Sequence, residues 1–379
     1  MRLFKQGLQD RLLSHLPDRF KEWGTHTALY MLTAMGLRRV PVVLMRGPTP
    51  PEGRPGSLLA AGQEPWIRYL PNRFFGSEPA RELLVTTSIR ELPKLLNRFG
   101  KNVDLSLVRV NRWSGRGLFR HSHLTVPEWV GMKLAVPKDL EQLIRSGSSI
   151  KRDMTLVRRH RYQTVDMGSA AEFDMFYHSF YVPFLRARYG ELAFIRDYHD
   201  LRRRLSAGGI LWVQREGKRV AAALFELKSR TLDLSVLGTL NGDYSLVKRG
   251  ALAALYFYII KFAQDLGCNA VDMKGSRPSL LDGLLRYKNK WGASLYDMKS
   301  SYYDLLVGWN NPNQIVREFF THTPLIFREN GRLSAIVGSK PQKSFPLWIN
   351  GLHRMHLITE SGCRPLNLEW SEQERKYLG

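Results

Sequence analysis

Two cysteines in 379 residues leave no room for a disulfide framework or for a zinc site of four thiolates within one chain. The pair, Cys268 and Cys363, fits a reducing cytoplasm. Also missing is an apolar run of about 20 residues, the length a membrane-crossing helix needs. The longest candidate, Ala251 to Ala263, falls short of it and contains Lys261. The first residues, MRLFKQGLQDRLLSHLPDRF, are broken by charges and lack the continuous apolar stretch of a signal peptide. No segment repeats at the period of a solenoid. His121 and His123 would share a strand face, but no third ligand accompanies them, so no metal is expected. The expectation from these absences is a cytoplasmic protein without a resident cofactor. Peripheral contact at the inner membrane face stays open, and nothing bears on oligomeric state.

Acidic residues are scarce as well. There are 34 Asp and Glu against 57 Lys and Arg, a net charge of +23. Residues 1–150 hold 23 basic and 12 acidic side chains, and residues 151–300 hold 25 and 15. The excess therefore belongs to the body of the chain and not to a tail. Such a field draws polyanions: tRNA, nucleotide-linked sugars, coenzyme A or an anionic lipid surface. A scattered basic surface without a specific partner fits the same numbers. Hydrophobic residues at 44% supply ample core.

Hydrophobic spacing predicts helices over residues 3–35, broken near Pro17, and short strands at Val40–Met45 and Glu82–Thr87. Gly47 to Gly56, GPTPPEGRPG, reads as a loop, and Ile89–Phe99 as a helix. Val103–Val110 and Leu118–Val126 read as a strand pair joined by RWSGRG, and Val130–Val136 as a further strand. Lys138–Tyr162 reads as a helix with a basic side. From Val165 onward the pattern sharpens. An aromatic helix (Ser169–Tyr189) and an arginine-rich helix (Asp197–Ser206) precede three strands in GILWVQREGKRVAAALFELKSRTLDLSVLG. An apolar helix, Gly250–Leu266, ends at Gly267, a suitable C-cap. A strand (Ala270–Met273), a short helix (Leu280–Trp291) and a strand (Ser294–Leu305) complete the segment. A helix near Gln314–Phe319 and strands around Pro324–Val337 follow. The division is thus mixed α/β for 1–150, an ordered segment for 151–305, and an extension for 306–379.

One stretch narrows the reading: AQDLGCNAVDMKGSRPSLLDGLLRYKNKWGASLYDM, Ala263 to Met298. A helix ends at Ala263 and Gly267. A strand carries Asp272, a loop Gly275 and Ser276. The block Gly283 to Gly292 then reads GLLRYKNKWG. This stretch resembles the signature region of the Fem-type and BioF2-like acyltransferases, which are related to GNAT enzymes. GKRVAAALFEL and the basic segment Ser149–Tyr162 resemble the same layout. The resemblance implies an α/β (α+β) GNAT-like fold, two such units in tandem with residues 1–150 a degenerate first one, and a C-terminal extension. It implies N-acyl transfer. Acyl-CoA, an acyl carrier protein or aminoacyl-tRNA would be the co-substrate, and an amino group of an envelope precursor, polysaccharide or small peptide the acceptor.

In GNAT-like folds two parallel strands splay and the donor enters the gap, here between Leu232–Leu237 and Ala270–Met273. The reaction needs the amine positioned, its proton removed and the carbonyl oxygen's developing charge stabilised. By the resemblance, Lys288 of the Tyr287–Lys288 pair takes the charge-stabilising role, with Tyr287 in place of the more usual Phe. A lysine on the solvated side of a short helix is the plain alternative. Asp272 is a candidate general base or acceptor-orienting group, or else a partner of Lys274. Asp282 reads as a helix cap. Arg158, Arg159, Glu226, Lys274 and Ser276 are candidate acceptor contacts. Tyr244, Ser245, Lys248, Arg249 and Gly250 stand where acetyl-CoA enzymes hold pyrophosphate. There Val247 and Leu252 depart from the [Q/R]-x-x-G-x-[G/A] pattern, which puts coenzyme A in doubt. Two rival functions remain. One is an inactive GNAT-like module that binds RNA or anionic membrane, the other a membrane-lying lipid aminoacyltransferase. Cys268 reads as a buried small residue, and the aromatic stripe at 173–184 as core.

Overall fold

The computed structural model describes residues 39–62, 69–112, 123–145, 147–168, 170–339 and 347–366. The helices expected over 3–35, His121 and the start of the Leu118–Val126 strand lie outside these residues. Two compact units divide the chain. One comprises Met1–Glu128, Ser300–His322 and Ile358–Gly362, the other Trp129–Lys299, Thr323–Leu357 and Cys363–Gly379.

The first unit is built on β1 (Arg39–Thr49), β2 (Arg54–Ala61), β3 (Ala80–Ser88), β4 (Leu105–Asn111), β5 (Leu124–Pro127) and β13 (Tyr303–Gly308). Their order is β5-β13-β4-β2-β1-β3. The short helix α1 (Pro71–Phe74), then α2 (Leu92–Phe99) and α10 (Gln314–His322), complete it. Val40, Val42, Leu59, Ile89, Leu92 and Val108 form its core. Two expectations change here. The proline-rich GPTPPEGRPG is mostly a hairpin, with Pro48 opposite Pro55 and Thr49 opposite Arg54. It runs past the last β3 pair, at Arg46, and ahead of the first β4 pair, at Leu58. The prolines' missing N–H groups therefore break no ladder on the outer sides. Second, β4 and β5 are not partners of each other. β13 pairs with both, from about 190 residues further along the chain. Local alternation marks strands but cannot show a partner so remote.

The second unit carries most of the segment expected over 151–305, of which residues 300–305 fall in the first unit. Its strands are β6 (Val130–Ala135), β7 (Gln163–Gly168), β8 (Gly208–Arg215), β9 (Lys218–Lys228), β10 (Thr231–Thr239), β11 (Ala270–Ser276) and β12 (Ser294–Tyr296). They are ordered β12-β6-β11-β10-β9-β8-β7. Helices α3 (Leu140–Arg145) and α4 (Ser148–Arg159) replace the single helix expected over Lys138–Tyr162, with Gly147 extended between them. The aromatic helix starts at Phe173–Met175, widens to a π-helix over Phe176–Tyr181 and continues as α5 (Val182–Tyr189). Then come α6 (Tyr198–Leu205), α7 (Tyr244–Lys248), α8 (Ala251–Asp265) and α9 (Gly283–Lys290). After β13 the chain returns with β14 (Leu325–Glu329), β15 (Arg332–Val337) and β16 (Met355–Thr359).

Period-2 alternation assigns the two faces of this sheet. On β9, Ala221, Ala223 and Phe225 join the core with α8, whereas Ala222 and Leu224 join Phe173, Phe176, Phe180 and Trp212. The aromatic stripe is thus core. Gly238 of β10 permits this packing: a Cβ there would lie 2.2 Å from the Phe180 carbonyl oxygen. Strands β7 to β10 run antiparallel, α8 crosses over, and β11 lies parallel to β10. That pairing lasts only from Thr231↔Ala270 to Asp233↔Asp272, although both strands continue. The register of β10 against β9 slips between Leu234 and Val236, at the point where the parallel strands part. This is the GNAT-like arrangement.

Three details differ from the sequence reading. Strand β7 was not foreseen; it pairs with β8. β6, which precedes residue 151, lies between β11 and β12. The single strand expected over Ser294–Leu305 is two strands, β12 and β13. Asp297, just after β12, is held by the Arg328 guanidinium at 3.0 Å.

Candidate functional site

Lys288 is the most unusual side chain of the second unit: a lysine only 3% exposed. It sits on α9, which starts because the Asp282 carboxylate accepts from the Leu285 N–H at 2.8 Å. On the same helix Lys290 pairs with Asp153 of α4, and Tyr287 packs edge-on against Tyr256, ring centres 5.2 Å apart. With these two contacts made, Lys288 faces β11. Its ammonium donates to the Gly275 carbonyl at 2.8 Å, the Lys274 carbonyl at 3.1 Å and Ser276 Oγ at 3.1 Å. No carboxylate among the described residues touches it directly. Burial lowers its pKa to about 7, against weaker opposite pulls from Asp282 and Asp272.

The cap is testable. Asp282→Ala is expected to cost about 1 kcal/mol, the usual worth of an N-cap, and to lower the melting temperature by about 2–4 °C. Asp282→Asn keeps the acceptor and is expected to retain most of the stability. Equal melting of wild type and the alanine variant would remove the cap from this account.

Beside the lysine, the last register pair before the strands part places Asp233 next to Asp272. Two adjacent carboxylates repel, and the surrounding residues compensate. Asp272 accepts from the Tyr296 hydroxyl at 3.0 and 2.9 Å, from the Lys274 N–H at 2.8 Å and from the Lys274 ammonium at 3.2 Å. The Lys274 ammonium also lies 2.7 Å from Asp233. Tyr296 reaches Asp272 across Gly131, opposite it on β6, where any Cβ would strike the ring. The ladder continues along the same face. Lys228 joins Asp233 at 2.7 Å to Glu226 at 3.1 Å. Glu226 also accepts from Arg204 at 3.0 Å and Ser235 at 2.7 Å. Burial works to raise the Glu226 pKa, but the hydrogen bonds from Ser235, Arg204 and Lys228 outweigh it and hold the group at about 2.

The structure brings Lys288, Ser276, Lys274 and Asp272 together at the end of β11. Glu226 belongs to the same face but is buried, with both carboxylate oxygens bonded. Tyr287 points into packing with Tyr256, and burial raises its pKa. Arg158 and Arg159 are exposed in the last turn of α4. The residues expected to bind phosphate lie along α7 and at the start of α8. Tyr244 is exposed, with the Lys248 ammonium 5.3 Å from its ring centre. Ser245 is bonded through its N–H and hydroxyl to Asp243, whose carboxylate occupies the start of α7. Arg249 ends α7, and Gly250, left-handed at φ 92°, begins α8 against Leu156. A helix start that already holds a carboxylate is a poor place for a second anion. Cys268 is half-buried against the core.

Asp233, Tyr296, Lys228 and Arg204 did not figure among the sequence candidates. The signal for Asp233 was present: a lone acid alternating with leucines in TLDLSVLG. The other three became meaningful only through partners on different strands. No helix among the described residues is long and apolar enough to cross a membrane. No group of three or more His, Cys, Asp or Glu among them is placed to hold a metal.

No family model and no curated protein matches the sequence. Among solved structures the chain is similar to FemX (11% identity, 69% of this chain and 87% of that one, TM-score 0.38). It is also similar to L-PGS from Bacillus licheniformis (12% identity, 73% and 83%, TM-score 0.34). A third is a GCN5-related N-acetyltransferase from Kribbella flavida (8% identity, 88% and 70%, TM-score 0.27). Fem-type and GNAT proteins thus stand among the structural neighbours, at a likeness too low to carry function across.

Proposed function

We propose that this chain is an N-acyltransferase that moves an acyl or aminoacyl group to an amine where β10 and β11 part. The observation that carries the proposal is the buried Lys288 ammonium at that point, held by two backbone carbonyls and Ser276 and paired with no carboxylate among the described residues. A cation costs stability in such a place. The cost is offset if negative charge develops beside it during the reaction, as it does on the carbonyl oxygen in acyl transfer. The Ser276 hydroxyl accepts from Lys288, so its own hydrogen is directed elsewhere and is the donor to that oxygen, while the ammonium acts on it through its charge. Asp272, in the last register pair before the strands part, orients the acceptor and receives its proton.

The donor is acyl-CoA, an acyl carrier protein or an aminoacyl-tRNA, and the acceptor an amine on an envelope precursor, polysaccharide or small peptide. The Asp243 carboxylate at the start of α7 supports donor recognition that does not use a pyrophosphate loop there. The excess of basic residues suits a phosphate-bearing participant.

The pH dependence of kcat/KM tests the role of Lys288. That parameter reports the free protein. As a cation with its pKa lowered to about 7, Lys288 gives a limb that falls as pH rises through that region. Lys288→Arg, which stays charged, is expected to lose the falling limb even at reduced rate. A rate that climbs steadily past pH 8 in wild type would exclude a catalytic ammonium. Mass spectrometry of ligand retained on the purified protein then distinguishes coenzyme A from tRNA.

A further inference from the structure

We propose that Lys274 is a positioning residue: clamped between Asp233 and Asp272, it holds a β-bulge that aims two successive backbone carbonyls at the amine of Lys288. This rests on the reading of Lys288 as the catalytic cation and adds a residue that acts through it.

Consecutive carbonyls of an extended strand point to opposite sides. Those of Lys274 and Gly275 instead converge on one ammonium, at 3.1 and 2.8 Å. Two backbone features permit this. The register of β11 against β6 slips between Asp272 and Gly275, which leaves an extra residue on β11. Lys274 itself takes a left-handed conformation, φ 58°. A side chain with a Cβ adopts that conformation at a cost and keeps it only where its surroundings hold it. What holds it is its own side chain. The ammonium lies 2.7 Å from Asp233 and 3.2 Å from Asp272, and the Lys274 N–H closes a 2.8 Å bond to Asp272.

The same contacts neutralise the carboxylate pair where β10 and β11 separate. Lys274 therefore sets the direction of the carbonyls and, through its pairing with Asp272, the field at Lys288. Its ammonium is occupied by this task, which removes it from the acceptor contacts. The charged groups that act on Lys288 are Asp282 from the start of α9 and Asp272 from β11, and Lys274 reaches it through its ion pair with Asp272.

The test is a titration of Lys288 in the full chain by NMR of nitrogen-15-labelled lysine side chains, with Lys288→Arg to assign the signal. In Lys274→Met one cation is lost and two carboxylates lose a partner, so the Lys288 midpoint is expected to rise by about one pH unit or more. Transfer is expected to slow about tenfold through kcat, with KM little changed. Lys274→Arg is expected to restore the midpoint. If the methionine variant does not fold, Lys274→Gly removes the same charge in a residue that accepts the left-handed backbone, and the same rise is expected. A midpoint unchanged in either folded variant overturns the proposal. The titration needs no substrate, so it still decides the role of Lys274 if the chain transfers no acyl group. That second result would count against the proposed function alone.

Discussion

Lys288→Met is expected to slow acyl transfer at least a hundredfold while leaving the protein as stable as wild type, or more so. The size of the rate loss follows from removing one preorganised charge from the developing oxyanion, commonly about 100- to 1000-fold. The stability argument runs the other way. Methionine matches the stem of lysine in length and does not bury an ammonium. Two carbonyls and Ser276 lose a donor, which costs something, and the charge is no longer desolvated, which offsets it. A residue kept only for structure would show the reverse, a destabilised variant with unimpaired rate per folded molecule. Denaturant unfolding and a transfer assay on the same preparation separate the two outcomes.

Arg204→Met is expected to produce a large stability loss, about 2–3 kcal/mol, because it takes one of two cations from a buried carboxylate. Glu226 is 5% exposed, and Arg204 is one of its three charged or hydroxyl partners. The pH dependence has a definite sign. Glu226 is held at about 2, below the value an unfolded chain gives it. Its contribution is therefore complete above the ordinary carboxylate range and is lost as pH falls toward 2. Without Arg204 the folded-state value moves up, so the variant starts to lose stability at a higher pH. Unfolding free energies at pH 7 and pH 4 check this. Equal stability of variant and wild type at both values would show that the ladder is incidental. Glu226→Gln leaves Arg204 with Asp200, 3.3 Å away, and is expected to cost less.

Local chemistry made much of the second unit legible. The turns EGK and SRT separate β8, β9 and β10 as expected, and Glu216, Gly217 and Ser229 take the positive φ such tight turns require. Gly267, at φ 66°, ends the apolar helix, and Asp282 caps the next. The parallel partners β10 and β11 follow from the helix between them. What could not be read was pairing at long range. The strand at Val130–Val136 is visible in the sequence, but not its place between β11 and β12. Residues 294–305 have the pattern of one strand and form two. The site divides the same way. Lys288, Asp272 and Ser276 are accessible through one stretch of sequence, while the ladder from Tyr296 to Arg204 joins residues from five elements and leaves no contiguous pattern. Its members read singly as ordinary surface charges. Their alternation with leucine and alanine on β9 and β10 was the only trace.

The gap between β10 and β11 is the proposed place of acyl transfer. The most direct measurement is product mass. The purified chain is incubated with an amine and, in turn, with an acyl-CoA, an acyl carrier protein and an aminoacyl-tRNA, and the N-acylated amine is sought by mass spectrometry. The account predicts a product from at least one donor, and its loss with Lys288→Met. Product formed equally well by that variant, or none from all three donors, would contradict it.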